Sequence, residues 1–362
     1  MTHRERFEAV FRKRKPDRPP WAPRIDHWFR MNRKWGTIPK RYEGLTLQEL
    51  HRELDAGIRI YLGPDVHYRE GSGIEEKTWQ EGELIITETK TPKGTLRSAR
   101  RLTEDSSYMV DFPIKDISDF EIMEYVLRNR EYSFNEEVIK EIEREYGDTL
   151  GSIFFCYGHT PVQRLILDYM GFEEAHYALY DYPKETERFL KAIEETDDPF
   201  FELAEKVPIE QINFGDHIHD WLISPSIFKK WHLPYYRRRN EQLHKAGKFT
   251  HCHVDGDAKV LLPLFKDSGF DALEALTPLP QGPWTVRELK DVLGDEIILM
   301  DGIPATLFLP FTPVEELRKT VSEILELFWP SGNLVLGISD ELPPGGDIER
   351  VRMISEIIEK EV

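Results

Sequence analysis

At 362 residues and 40% hydrophobic content, the chain can bury one large core, as a single α/β barrel or as two medium domains. A formal net charge of -18 argues against nucleic acid as a partner, because phosphate contacts need clustered Lys and Arg. No apolar run reaches the ~18 residues of a membrane span, and the charged start Met1-Thr-His-Arg-Glu-Arg6 leads into no apolar stretch, so neither a membrane segment nor a signal peptide is expected.

Residues 4–11 carry the spacing of an amphipathic helix that stops before the stiff turn Pro16-Asp-Arg-Pro-Pro20. A short first strand is predicted over 21–25. It opens into Asp26-His-Trp-Phe-Arg30, an aromatic-polar run that reads as a pocket wall, with a locally packed surface helix as the alternative. A helix over 45–54 and a second short strand over 58–62 follow. Residues 74–100 change character: polar segments at 78–81, 84–89 and 95–98, parted by Glu-Gly and Pro-Lys-Gly turns, form a small antiparallel excursion. Residues 116–146 read as helix with a solvated, charged face.

A buried strand over 150–155 leads into Cys156-Tyr-Gly-His-Thr-Pro161, and helix fills 162–206 with breaks near 169–171 and 182–183. Strands are then predicted at 209–214, 248–252, 272–276, 297–300 and 334–338. Helices at 226–247, 258–268, 285–293, 313–328 and 347–359 separate or follow them, the first announced by Ser224-Pro225. Together with the two early strands the count is eight, and strand-helix alternation with that count is the signature of a (β/α)₈ barrel. The fold expected is therefore α/β: one barrel domain over 1–362, with N-terminal helices and the hairpin excursion at about 74–100. A doubly wound sheet would show a Gly-rich first turn; G-x-G-x-x-G, the P-loop and G-x-S-x-G are all missing, as are H-E-x-x-H and C-x-x-C. The two cysteines, Cys156 and Cys252, suit a reducing cytoplasm.

In such a barrel the residues just beyond each strand share one mouth. They are Asp26 and His27, His159, Asp216 with His217 and His219, His253 and Asp255, Asp301, and Ser339-Asp340. Helix capping explains a single aspartate, and Asp257 and Asp347 read as caps. Ionisable groups after six of eight strands point instead to an enzyme. The densest stretch is Lys248-Phe-Thr-His-Cys-His-Val-Asp-Gly-Asp257. There His253 and Asp255 stand two apart at a strand end, where both can face one metal ion, and Gly256 lets the backbone turn sharply.

The segments Arg4-Glu-Arg-Phe7, Pro16-Asp-Arg-Pro-Pro20, Thr91-Pro-Lys-Gly94, Ser224-Pro225 with Pro234-Tyr-Tyr236, His253-Val-Asp-Gly256 and Leu336-Gly-Ile-Ser-Asp-Glu-Leu-Pro-Pro-Gly345 come in a telling order. Across nearly the whole chain they resemble the uroporphyrinogen decarboxylase superfamily, in its branch of cobalamin-dependent methyltransferases. The resemblance implies a (β/α)₈ barrel with zinc at its mouth, held in that branch by an H-x-C pair after the fifth strand and a cysteine after the eighth. His253 matches the histidine; Asp255 and Asp340 stand where the cysteines would, and Glu274 is a possible fourth ligand. Cys252 is one residue out of register and would face the other way.

Exchanging thiolates for carboxylates leaves a harder Lewis acid, which suits zinc, iron or manganese and prefers an oxygen atom. The expected reaction is thus O-demethylation: a methyl group leaves a small methylated compound, a methyl ether above all, for the cobalt of cobalamin presented by a separate corrinoid protein. Asp216, His219, His159 or His217 would protonate the leaving oxygen or orient the donor. Trp21, Trp28 and Tyr157 would line the substrate pocket, with Arg24 beside them. The alternatives are decarboxylation of a tetrapyrrole, with Arg24 and Arg30 meeting its carboxylates, and a non-catalytic barrel that serves as a binding partner. A cytoplasmic protein is expected, and sequence leaves its assembly open, a homodimer included.

Overall fold

Helix His3–Phe11 begins at a capping box, in which Thr2 and Glu5 satisfy each other's backbone N–H groups. Its Phe7, Val10 and Phe11 lie one helical turn apart and are each 1% exposed. They pack on Phe154, Ala272, Ile298, Met300 and Val335, which come from four different strands. This is the apolar floor of a ring. Arg6 fixes the helix by a forked pair to Asp17, with bonds of 2.7 and 2.9 Å.

The ring is a parallel seven-stranded sheet in the order Ile58–Leu62, Leu150–Gly158, Gln211–Phe214, Phe249–His253, Ala272–Glu274, Ile298–Pro304 and Leu334–Ser339. Its two edge strands are joined through Trp21. On one side Leu336 N–H donates to Pro20 O at 2.8 Å and Ala22 N–H to Leu336 O at 3.0 Å. On the other, Gly57 N–H donates to Trp21 O at 2.8 Å. An eighth segment thus closes the barrel, as the strand count predicts. The strand expected over 21–25 shrinks to a single bridge at Trp21. The reason is that Pro19, Pro20 and Pro23 flank it, and proline donates no ladder hydrogen bond.

The computed structural model describes residues 1–361, and the chain forms two compact units. The barrel unit takes residues 1–62, 135–157 and 208 onward; the second takes 63–134 and 158–207. The second unit contains a four-stranded antiparallel sheet of Glu75–Glu81, Leu84–Thr91, Gly94–Leu102 and Ser107–Asp111, the last beyond the three strands read from sequence. Ile86, Leu96 and Ala99 are buried, and helix Phe120–Arg128 packs on the two central strands. Phe120 stacks on Phe189 of helix Pro183–Thr196, with ring centres 4.3 Å apart.

Two helical expectations need correction. The stretch 116–146 is broken at Asn129, because Arg130–Ser133 pairs antiparallel with Asp65–Tyr68. The α-helix expected over 258–268 is a turn followed by the 3₁₀ segment Leu262–Asp267, where Pro263 removes a donor that an α-helix would need. Among the described residues no helix is long and apolar enough to cross a membrane.

Candidate metal centre

Above the apolar floor the inside of the ring turns polar. Strand alternation puts Arg59 and Tyr61 on one face of their strand, and His251 and His253 on one face of theirs. Glu274 stands at the centre of this layer. Its Oε1 receives Arg59 at 3.0 Å and the Tyr61 hydroxyl at 2.6 Å; its Oε2 meets His253 Nδ1 at 3.1 Å and Asn213 Nδ2 at 3.3 Å. Asn213 also reaches His251 Nε2 at 2.8 Å. Burial alone would push the Glu274 carboxyl up. The His253 hydrogen bond and the electrostatic pull of His251, His253 and Arg59 outweigh it and hold that carboxyl well below the ordinary range. Burial likewise pulls His253 down, yet its bond and charge pairing with Glu274 carry it above the usual imidazole value.

Arg59 gives its other arm to Asp301 at 2.6 Å, so one fully buried cation bridges two carboxylates. Met300 already faces the core cluster. Asp301 joins it inside because its backbone takes φ 76°, a left-handed conformation that few non-glycine residues adopt. Room for the carboxyl comes from Gly337, where a Cβ would lie 2.1 Å from Asp301 Oδ1. Burial, opposed by Arg59, lifts the Asp301 carboxyl to about 6.

With Nδ1 on Glu274, His253 turns Nε2 the other way. That atom is buried and has no hydrogen-bond partner among the described residues. It is the unsatisfied group that a metal ion would take up. His217, Asp255 and His253 form a group whose candidate ligand atoms all lie within 4.8 Å of one another. His217 Nδ1 is 3.7 Å from Asp255 Oδ2, and the two imidazoles meet edge to face at 4.6 Å. The nearby His217, against burial, draws the Asp255 carboxyl down, so it stands ready as an anion. Two imidazoles and a carboxylate can hold a divalent metal ion, and this arrangement fits one.

The other residues singled out from sequence are spread more widely. Glu274 sits behind His253 rather than among the ligand atoms, its oxygens already engaged by four donors. Asp340 is paired with Arg24, and its Oδ1 lies 4.0 Å from His253 Nε2. Arg24 also rides over the Tyr61 ring at 5.4 Å. Asp216 faces out of the ring, fully buried, where Tyr236 donates to it at 2.7 Å. Cys252 points the same way, its Sγ 3.9 Å from Tyr236 Oη.

His219 accepts the Trp221 indole N–H at 2.6 Å and the Asp257 N–H at 3.3 Å. His159 belongs to the second unit, where its Nδ1 meets Asp168 Oδ2 at 2.8 Å. The run 26–30 forms part of helix Asp26–Trp35. Trp28 is thereby core, 2% exposed with its indole N–H on Gly346 O, and does not wall an opening. Trp21 is the ring bridge, and Tyr157 stacks on Tyr235 with its hydroxyl on the tyrosine's hydroxyl.

Sequence reading missed Arg59, Tyr61, Asn213 and His251. Their signal was present: polar residues at every second position of otherwise apolar strands, Ile58-Arg-Ile-Tyr-Leu62 and Gln211-Ile-Asn-Phe214.

The sequence profile of the uroporphyrinogen decarboxylase (URO-D) family matches residues 103–361. The chain belongs to the uroporphyrinogen decarboxylase family. The family match takes in six of the seven ring strands, from Leu150–Gly158 to Leu334–Ser339. Among solved structures, a methyltransferase from Methanosarcina mazei superposes with a TM-score of 0.62 at 15% identity, covering 100% of this chain and 99% of its own. That likeness shows a shared fold over the full length. The spore cortex-lytic enzyme SleL of Bacillus megaterium QM B1551 aligns at 9% identity, over 63% of this chain and 64% of its own, with a TM-score of only 0.33. No curated protein sequence matches.

Proposed function

We propose that this uroporphyrinogen decarboxylase family member is a metal-dependent methyltransferase that moves a methyl group from an oxygen-bearing donor to the cobalt of a separate corrinoid protein. The observation that carries the reading is the group His217, His253 and Asp255, together with the buried Nε2 of His253, which has no hydrogen-bond partner among the described residues. A divalent ion held by that group, zinc or another of its class, would supply Lewis acidity to the oxygen that loses the methyl group. His253 would hold it through the nitrogen left open by Glu274, which fixes the ring's tautomer and orientation through Nδ1. Asp255 brings negative charge, and His217 completes the set from the loop after the preceding strand. The methyl donor that suits such ligands is a methyl ether, since nitrogen and oxygen ligands leave the ion hard.

The tetrapyrrole reading, which the family match suggests, asks for free cations at the mouth. Arg24 is taken by Asp340, and Arg59 by Glu274 and Asp301. Of the residues proposed as proton donors, His217 alone stands in the metal group. Treatment with a chelator is expected to abolish methyl transfer, and adding back zinc or another divalent ion to restore it. Undiminished transfer by protein shown by elemental analysis to be metal-free would refute the proposal.

A further inference from the structure

Asp255 stands on a loop, and a loop ligand is only as good as the contacts that hold it. The segment after strand Phe249–His253 turns at Gly256, where φ is 66°. It is fastened to the loop after strand Gln211–Phe214 at three points. Asp220 N–H donates to Asp257 O at 2.6 Å, and Val260 N–H donates to Asp220 Oδ2 at 3.0 Å. The third is His219 Nε2, which takes the Asp257 N–H at 3.3 Å. The same nitrogen accepts the Trp221 indole N–H at 2.6 Å, which braces the ring from its own loop. The edge of the imidazole also abuts the turn: a Cβ added to Gly256 would stand 2.7 Å from Nε2 and 2.8 Å from Cδ2. His219's own carbonyl accepts Leu222 N–H at 3.1 Å and Ile223 N–H at 2.9 Å, so the ring projects from a fixed base.

The geometry points to His219 as a positioning residue that clamps the Asp255 loop against the His217 loop, rather than as the proton donor its sequence position suggests. With Nε2 accepting both N–H groups, the ring's one proton sits on Nδ1, which is buried without a hydrogen-bond partner, and neither nitrogen belongs to the group formed by His217, His253 and Asp255. The inference rests on the reading of His217, His253 and Asp255 as a metal group. Its consequence is that His219, which supplies no ligand atom, sets how tightly the metal is held. Partners of metal ligands commonly govern affinity at the level of roughly 10–100-fold.

The experiment measures zinc affinity by competition with a chromophoric chelator in the full chain, together with a thermal melt of each variant. His219→Ala is expected to weaken zinc binding by about 10–100-fold. His219→Gln, whose amide oxygen can accept near the same point, is expected to recover most of it. Trp221→Phe removes the indole N–H that braces the imidazole and leaves the Gly256 turn untouched, so it carries the question if His219→Ala fails to fold, and it should also bind zinc more weakly. Wild-type affinity in a folded His219→Ala, or a His219→Gln no better than His219→Ala, would overturn the clamp while leaving the metal centre intact. Wild-type protein that takes up no zinc would overturn both.

Discussion

Replacing Asp255 with alanine is expected to abolish metal binding at the candidate centre while the barrel stays folded. The carboxylate is the anionic member of the group and stands on a half-exposed loop, with its side chain 53% accessible. Its loss removes charge and a ligand at once, so metal affinity should fall by more than the roughly 10–100-fold typical of losing a supporting partner. Methyl transfer should fall with it. Stability should change little, because the side chain fills no part of the core; were it only capping a turn, removal would cost about 0.5–2 kcal/mol and leave activity in place. Elemental analysis and assay of wild type and Asp255→Ala, side by side, separate these outcomes. Equal metal content in the two would remove Asp255 from the site.

A second large effect concerns pH. His51 and His232 are buried with their imidazoles pushed down to about 3, and His251 is pushed down to about 4, burial being the leading cause in each. His232 offers no hydrogen-bond partner to either ring nitrogen. The folded protein keeps all three neutral, whereas the unfolded chain protonates them near 6.5. Their contribution is therefore fully present above pH 6.5 and is lost as pH falls through that value toward the folded-state values. At pH 5 each costs about 2 kcal/mol relative to pH 7.5, or about 6 kcal/mol together. Asp301 works in the opposite sense. Its raised carboxyl takes up a proton more readily folded than unfolded as pH falls toward 5, which returns about 1 kcal/mol.

His253 and His244, both raised, offset part of the remainder. A net loss of about 4 kcal/mol is a large fraction of the ~5–15 kcal/mol that holds a domain folded. Urea unfolding at pH 7.5 and pH 5 should show that loss, and His232→Phe should shrink it by about 2 kcal/mol. Equal midpoints at the two pH values would mean that these histidines take up protons in the folded state as readily as in the unfolded chain.

Periodicity in the strands was enough to expose the barrel, and the H-x-D spacing was enough to bring His253 and Asp255 together. The outward turn of Cys252 followed from alternation alone. What could not be read depended on contacts between distant segments. Trp21 is a strand only because Leu336 and Gly57 sit on either side of it. Asp301 enters the ring only because its backbone takes a positive φ and Gly337 leaves space. His217 enters the metal group, and Asp340 is drawn to Arg24, through loop conformations that no local pattern encodes. Glu274 was named as a ligand from its strand position, and its place behind His253 emerges only once four donors are seen to converge on it. Trp28 shows the reverse error: an aromatic beside polar residues looked like a pocket wall, but helix Asp26–Trp35 turns it into the core.

Methyl transfer to cobalt is tested most directly by following the cobalt itself. Metal-loaded protein, a reduced corrinoid protein and a panel of methyl ethers are combined, and the cobalt absorbance is recorded over time. The account predicts that the reduced-cobalt absorbance decays only when a methyl donor, the metal and this protein are all present, with one methyl group appearing on cobalt for each lost from the donor. Full consumption of the donor without any corrinoid, or the same decay with Asp255→Ala, would contradict it.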